Sequence, residues 1–241
     1  MMRVLAAKYP GQLLRLYRKV LDERPEVASW EFPKRLLKTN LPLEDKVAVL
    51  VHAANHTKLE HKRGALEALL KIAPDQGLPF LIEALRKFPL SKKKSYHGSQ
   101  EPWFAVLVSE YDRKEGWEAL AAAARDGNVF LRLELLGHVV FRLGEPGRKR
   151  RALQLLEEFL DDATVRTLSG DKNSDEFFSA GYPFRKLEVR NFAARQMAFV
   201  LDMPLPERKW SGRGPEEPTA DDWAELRRKV REKAKVLIGE K

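Results

Sequence analysis

The sequence predicts an all-α fold, a right-handed stack of antiparallel helix pairs. Apolar residues recur at the spacing of an amphipathic helix along nearly the whole chain, and strand-like alternation over several residues is hard to find. The polar breaks between the apolar segments are short, which requires neighbouring helices to run antiparallel. We therefore expect about four or five helix pairs in one curved array, stabilised by contacts between neighbouring pairs.

The predicted helices follow one another closely along the chain. The clearest is 78–88, where Leu78, Leu81 and Leu85 fall on one apolar stripe and Pro79 is expected in the first turn. The helices predicted before residue 205 are 13–21, 47–54, 64–72, 78–88, 103–111, 116–124, 129–143, 150–160 and 189–201.

Two segments carry a repeat pattern. One is Lys62-Arg63-Gly64-Ala65-Leu66-Glu67-Ala68-Leu69-Leu70-Lys71-Ile72, followed by Gly77-Leu78-Pro79-Phe80-Leu81, and the other is Leu187-Glu188-Val189-Arg190-Asn191-Phe192-Ala193-Ala194. The first resembles bacterial HEAT-like repeats, in which a helix ends at a small turn and the next begins with Leu-Pro-x-Leu. The second resembles the family's Val-Arg-x-x-Ala helix start. The resemblance extends over about residues 42–204 and implies an α-solenoid fold more strongly than a function.

This resemblance suggests three regions. Residues 1–41 form an N-terminal helical cap, 42–204 hold the HEAT-like repeats with an insertion at 162–186, and 205–241 are a Pro/Gly-rich linker and a C-terminal helix. The run Thr219-Ala220-Asp221-Asp222 resembles a capping box at the start of that helix. It either caps the stack or docks elsewhere, with one apolar face formed by Trp223, Leu226, Val230, Ala234 and Leu237.

Composition limits the functional classes. Lys and Arg number 44 against 35 Asp and Glu, a net charge of +9, which favours anionic partners. The absence of cysteine excludes disulfides, thiolate metal sites and a Cys nucleophile, and it fits a reducing cytoplasm. No apolar run approaches the roughly 18 residues of a membrane span, and we expect no membrane association.

Two patterns resemble metal sites but lack essential residues. His52 and His56 share a helix face, yet Ala53 stands where a zinc peptidase needs a catalytic Glu. Asp171, Asn173 and Asp175 resemble half of a calcium loop, but Glu176 and Tyr182 occupy the positions of its Gly and its bidentate Glu. We predict no metal site and no cofactor.

Basic residues cluster at two turns. If stacked repeats place these turns on one edge, the charges would form a phosphate-binding surface. Without a base-reading motif, the alternative is ordinary solvated loop charge. The candidate anion-binding residues are Lys92, Lys93, Lys94, Arg148, Lys149, Arg150 and Arg151.

The insertion at 162–186 is aromatic and basic. Exposed aromatic and Arg side chains commonly supply most of the energy of an interface. Alternatively, the insertion folds over the concave face of the stack and buries its rings there. The candidate partner-binding residues are Phe177, Phe178, Tyr182, Phe184, Arg185 and Lys186.

The sequence contains no catalytic motif and favours a non-catalytic scaffold or adaptor that recognises a protein through the solenoid surface and the insertion. The alternative is a nucleic-acid-binding HEAT-like module, at the extreme an enzyme similar to the alkylpurine DNA glycosylases. Those enzymes use Trp residues and an Asp on a basic concave surface. Their Trp-x-x-x-Asp spacing is absent after Trp103, Trp117 and Trp30. At the position of the Asp, these are followed by Leu107, Ala121 and Lys34. Asp112 would restore the arrangement if the fold brought it to Trp103 or Trp117.

Overall fold

The structure, a computed structural model, describes residues 10–24, 31–56, 62–86, 103–141, 143–167, 186–206, 210–211, 214–215 and 218–239. The chain divides into two compact units, Met1–Phe88 with Ser99–Leu107, and Pro89–Gly98 with Val108–Lys241. The described part is mostly helical, which confirms the all-α class. None of its helices is long and apolar enough to cross a bilayer.

The described residues contain eleven helices. The first unit contains α1 Pro10–Glu23, α2 Glu31–Leu37, α3 Leu43–His56, α4 Lys62–Ile72 and α5 Pro74–Arg86. Helix α6, Trp103–Tyr111, belongs partly to each unit. The second unit contains α7 Lys114–Asp126, α8 Val129–His138, α9 Pro146–Glu157, α10 Val189–Val200 and α11 Ala220–Ile238.

In the first unit each helix packs on its neighbours and on the helix after next. Besides the consecutive contacts from α2 to α5, α1 contacts α3, α2 contacts α4 and α3 contacts α5. The core includes Tyr17, whose ring meets Phe32 edge-on at 5.2 Å, and it is filled by Leu21, Leu36, Leu50 and Leu69.

The α4–α5 turn is tighter than the sequence predicts. Pro74 occupies the first turn of α5, so Pro79 lies inside the helix and its expected place in the first turn is wrong. Pro74 fits there because the first amide groups of a helix have no intrahelical acceptor. Gly77 allows the close approach of α4, since a Cβ atom there would lie 3.1 Å from the backbone nitrogen of Leu70.

The second unit contains the same next-but-one contacts, between α7 and α9, α8 and α10, and α9 and α11. Helices α7 and α9 run in the same direction. Arg151, in the first half of α9, donates to the Asp112 carbonyl just before α7, and Arg125 pairs with Glu158 at the far ends of the two helices. Two successive helix pairs stacked in register have this geometry.

Helix α11 does not continue this pattern. Its end lies at the start of α9, where Arg150 Nε donates to the Leu237 carbonyl at 3.1 Å, and Arg231 meets Asp161 beyond the end of α9 at 2.8 Å. The two helices are therefore antiparallel, and α11 closes the unit as a docked helix.

The capping box at the start of α11 is confirmed. The Asp222 amide donates to the Thr219 hydroxyl oxygen, and the Thr219 amide donates to the Asp222 carboxylate. The predicted apolar face is buried at Trp223, Leu226, Val230 and Ala234. Leu237 is an exception, since half of its surface is exposed.

Two short antiparallel ribbons interrupt the helices. Strand β1 (Val165–Thr167) pairs with β2 (Lys186–Glu188) in the register Val165 to Glu188, and β3 (Trp210–Ser211) pairs with β4 (Gly214–Pro215). The first ribbon lies where the insertion leaves and rejoins the helical body. The second lies within the linker before α11.

Candidate functional site

The described residues contain only part of the candidate interface. Lys186 is exposed in β2. The described residues also include Arg148, Lys149, Arg150 and Arg151 at the start of α9. Outside the described residues lie Lys92, Lys93 and Lys94 in the basic loop and Phe177, Phe178, Tyr182, Phe184 and Arg185 in the insertion.

The base of the insertion, residues 161–167 and 186–191, is here called the insertion root. Beyond the β1–β2 pairing, the Val189 amide donates to the Thr164 carbonyl at 3.0 Å and the Arg190 amide donates to the Asp162 carbonyl at 2.9 Å. Arg166 and Leu187, which face each other in the ribbon, are buried. The insertion therefore leaves the helical body from a base held by backbone hydrogen bonds and by burial.

Arg132 of α8 attaches the root to the preceding helix pair. Its guanidinium contacts the Asp162 carboxylate at 2.6 Å, and it also donates to the carbonyls of Ala124 and Arg125 at 2.9 Å each and of Gly127 at 3.2 Å. The last carbonyls of α7 lack intrahelical donors, so one arginine both caps α7 and fixes the root.

Asp162 is held in its ionised form. Burial raises the pKa of this carboxyl, but hydrogen bonds from Thr164 and the charge and hydrogen bond of Arg132 outweigh burial, so that its pKa lies below its ordinary value. The attachment of the root is therefore a charged one at neutral pH.

Three arginines meet beside the root, and we call Arg190, Arg227 and Arg231 the arginine cluster. Arg190 bonds Glu188, Arg231 bonds Asp161 at 2.8 Å, and Arg227 bonds the side-chain oxygen of the buried Asn191. Burial lowers the pKa of Arg227, and the nearby charges of Arg190 and Arg231 lower it further, against the opposing effect of the two carboxylates.

Two of the four basic residues at the start of α9 form hydrogen bonds within the second unit. Arg150 bonds the Leu237 carbonyl, and Arg151 bonds the Asp112 carbonyl at 2.7 Å. Arg148 and Lys149 are half-buried. At 1.5 Å per residue, this run lies about 9–14 Å along the helix axis from the end of α9, beyond which the root begins.

The structure brings Asp112 to Trp117. Asp112 has a left-handed backbone, with φ of 50°, and its Oδ1 accepts a hydrogen bond from Trp117 Nε1 at 2.9 Å and lies 3.4 Å from the Arg151 guanidinium. Trp117 is buried, so it orients the carboxylate and presents no open ring face for stacking. In the first unit, the Arg63 guanidinium lies over the Trp103 ring at 4.0 Å.

His52 has a local partner, since its Nε2 lies 2.7 Å from the Asp22 carboxylate. Within the described ranges, no three His, Cys, Asp or Glu side chains are grouped so that they could hold a metal ion.

Sequence reasoning did not identify the arginine cluster. Arg227 and Arg231 are four residues apart and flank the buried stripe of α11, and this spacing was the available signal. Their proximity to Arg190 depends on how α11 docks, and the docking of a helix cannot be predicted from the local sequence pattern.

Comparison with known proteins found no matching family model, curated protein or solved structure.

Proposed function

We propose that this protein is a non-catalytic binding scaffold, a right-handed α-solenoid of HEAT-like helix pairs that recognises a protein partner. The contacts between each helix and the one after next, from α1 to α5 in the first unit and from α7 to α10 in the second, support a stack of pairs. The common direction of α7 and α9 supports it further. A stack of this kind offers continuous side-chain surface for recognition.

The insertion root is the observation that carries this proposal. A segment that only linked two helices would need no paired ribbon, no buried Leu187 and no Arg132–Asp162 contact at its base. A fixed base reduces the conformational entropy lost when a loop binds, so it suits a loop used for recognition. We expect the aromatic residues of the insertion to anchor the partner and Arg185 and Lys186 to bind its acidic groups.

The test replaces residues 168–185 with a short Gly-Ser turn that keeps the β1–β2 ribbon. We expect an unchanged far-ultraviolet circular dichroism spectrum and the loss of at least one protein that the full chain captures from its native lysate. A matched control replaces residues 90–100 with Gly and Ser at equal length. Capture of the same proteins by the full chain and the shortened chain would contradict the proposal.

A second candidate function rests on the contact between Asp112 and Trp117. A carboxylate fixed by an indole N–H and a guanidinium could stabilise positive charge developing on a sugar as a damaged base leaves. The described residues supply no hydrogen-bond donor to its second oxygen, Oδ2, and Arg148 and Lys149 would contact phosphates nearby. This arrangement favours a nucleic-acid-binding module with activity like that of the alkylpurine DNA glycosylases.

Two measurements test this second candidate. Phosphate contacts should make binding to a mixed DNA and RNA pool detectable at about 50 mM salt, and its absence would exclude the nucleic-acid function. Release of alkylated base should be lost in Asp112→Asn and retained in Glu115→Gln, which neutralises an exposed carboxylate in the first turn of α7. Equal rates of base release in the two variants would exclude Asp112 as the reacting group.

A further inference from the structure

The arginine cluster brings three helical segments to one corner of the second unit. The Arg190 amide bonds the carbonyl of Asp162, and the neighbouring Asp161 carboxylate bonds Arg231. One turn earlier on α11, Arg227 reaches Asn191, the residue after Arg190. All three guanidinium groups therefore lie around the junction of α9, α10 and α11.

The charges at this junction do not balance. Arg190 and Arg231 each contact one carboxylate, those of Glu188 and Asp161. Among the described residues, the hydrogen-bond partner of Arg227 is the neutral amide of Asn191. Three cations against two anions leave one positive charge in excess.

The docking of α11 does not explain the charge on Arg227. Its helix is already held by the buried face of Trp223, Leu226, Val230 and Ala234, and a neutral donor would also satisfy the Asn191 oxygen. A partly buried guanidinium beside two others is unfavourable unless an anion compensates it. The side chains of Arg190 and Arg231 are 36% and 35% exposed, so an anion from solvent can reach the junction.

We propose that the arginine cluster is a binding site for an oxyanion, a phosphoryl or carboxylate group, with Arg227 as its central ligand. A guanidinium offers parallel N–H donors that match two oxygens of such a group, and flanking arginines complete the shell. This site goes beyond the proposed function, since it requires neither the interior of the insertion nor a protein partner.

The experiment measures binding of inorganic phosphate and of succinate to the full chain by isothermal titration calorimetry at low ionic strength. We expect Arg227→Ala to weaken binding by about tenfold or more, the loss typical of one charge-assisted bidentate pair. The matched control is Arg228→Ala, which removes the same charge one residue along, where Arg228 pairs with Glu225 at 2.7 Å and Glu232 at 2.6 Å. This control should bind within about twofold of the unmodified chain, because its charge lies outside the site.

A further variant separates binding from folding. Arg227→Gln removes the charge but keeps an N–H donor for Asn191, so it should retain the melting temperature and still lose the anion. Preference for phosphate would identify a phosphoryl ligand, and preference for succinate a carboxylate ligand. The proposal is overturned if the full chain binds neither anion, if Arg227→Gln binds as the full chain does, or if the Arg227 and Arg228 variants lose binding equally.

Discussion

Arg132 joins the end of α7 to the insertion root. It donates hydrogen bonds to three carbonyls at the end of α7 and to the carboxylate of Asp162, which is 30 residues away in sequence. Its side chain is 15% exposed, so the hydrogen bonds to Asp162, Ala124 and Gly127 are partly shielded from water, whereas the one to Arg125 is exposed. Loss of the arginine leaves the three carbonyls without this donor and the Asp162 carboxylate without its neutralising charge, and such a loss costs more than the pair contributes.

We predict that Arg132→Ala lowers the free energy of unfolding by about 3 kcal/mol. Urea denaturation of the full chain measures this change. Arg125→Ala is the matched control, since Arg125 forms an exposed ion pair with Glu158, for which less than about 1 kcal/mol is expected. Similar decreases in the free energy of unfolding of the two variants would show that the contacts of Arg132 stabilise the fold no more than an exposed ion pair does.

Asp162 leads to a prediction about pH. Because its folded pKa is below the unfolded value, the carboxylate stabilises the fold above the unfolded pKa of about 3.9, and this stability is lost as pH falls through the folded pKa. Asp162→Asn should therefore be less stable than the unmodified chain at pH 7, and the difference should shrink as the medium is acidified below about pH 4.

Unfolding free energies between pH 7 and pH 3 check this dependence. Asp161→Asn serves as a control, because the Asp161 side chain is 85% exposed and its ion pair with Arg231 is open to solvent. A stability difference for Asp162→Asn that stays constant over the whole range would contradict the assigned charge state.

The residues that the sequence could predict are those whose role is local. The capping pair Thr219 and Asp222, and the buried Leu226 and Val230, follow from spacing along one helix. Arg132 gave no comparable signal, because its partner is distant in sequence and becomes a neighbour only when the two helix pairs stack. The same reason applies to Asp112 and Arg151.

At the scale of elements, two helices end on an aspartate in the left-handed conformation. After α10, Asp202 has φ of 50°, and the Met203 amide donates to the Ala198 carbonyl at 2.9 Å, as in a Schellman motif. After α6, Asp112 has the same φ, and its amide donates to the Val108 carbonyl at 2.9 Å. Glycine adopts this conformation without strain.

We predict opposite effects of glycine at these two helix ends. Asp202→Gly should raise the free energy of unfolding by about 0.5–1 kcal/mol, since Asp202 is exposed and its side chain has no described partner. Asp112→Gly should lower it by about 1 kcal/mol or more, because the hydrogen bond from Trp117 and the contact with Arg151 are lost. Thermal denaturation of the two variants measures both, and a gain at position 112 would remove the structural role of that carboxylate.

Apolar periodicity predicted most helices, and α6 has the predicted bounds of 103–111. It did not predict α2, which has only seven residues, nor the ribbon strands of two or three residues. Seven residues make about two helical turns, and two or three residues make only one or one and a half periods of a strand, too few for either pattern to be distinguished from chance. The predicted helix 129–143 also ends earlier than expected, at His138, and residues 139–141 form a turn.

At the scale of the molecule, stability in a stack of helix pairs depends on near neighbours. In the second unit, α11 contacts α9 and α10, and its Leu226 is buried. A defect at this position should therefore spread only to the elements that touch α11.

We expect Leu226→Ala to lower the stability of the second unit by about 3 kcal/mol through lost packing. Amide hydrogen exchange should then be faster in α9, α10 and α11, and its rates in α1 to α5 should stay unchanged. Val236→Ala is the control, since Val236 is 80% exposed on the same helix. Mass-spectrometric exchange of the full chain reports both regions at once. Equal acceleration in α1 to α5 would mean that the chain unfolds as one cooperative body.

The sequence could locate the insertion at 162–186 because it interrupts a regular pattern. It could not show that the insertion is anchored, since Arg132, Asp162 and Leu187 come together only through the fold. Nor could it place Arg227 beside Arg190, because their proximity depends on the direction in which α11 docks. For the candidate site, composition indicated the type of surface, and tertiary contacts determined its members.

If the helix pairs form the stack proposed above, the reversed direction of α11 also limits where further pairs could be added. Tandem arrays commonly grow by duplication of a unit, which needs an open end with the register of the preceding pair. In the second unit, α11 lies across α9 and α10 in the opposite sense to α9. A duplicated pair placed after α10 would have to displace that helix and its arginines, so duplications upstream of α9 are the less costly way to lengthen this unit.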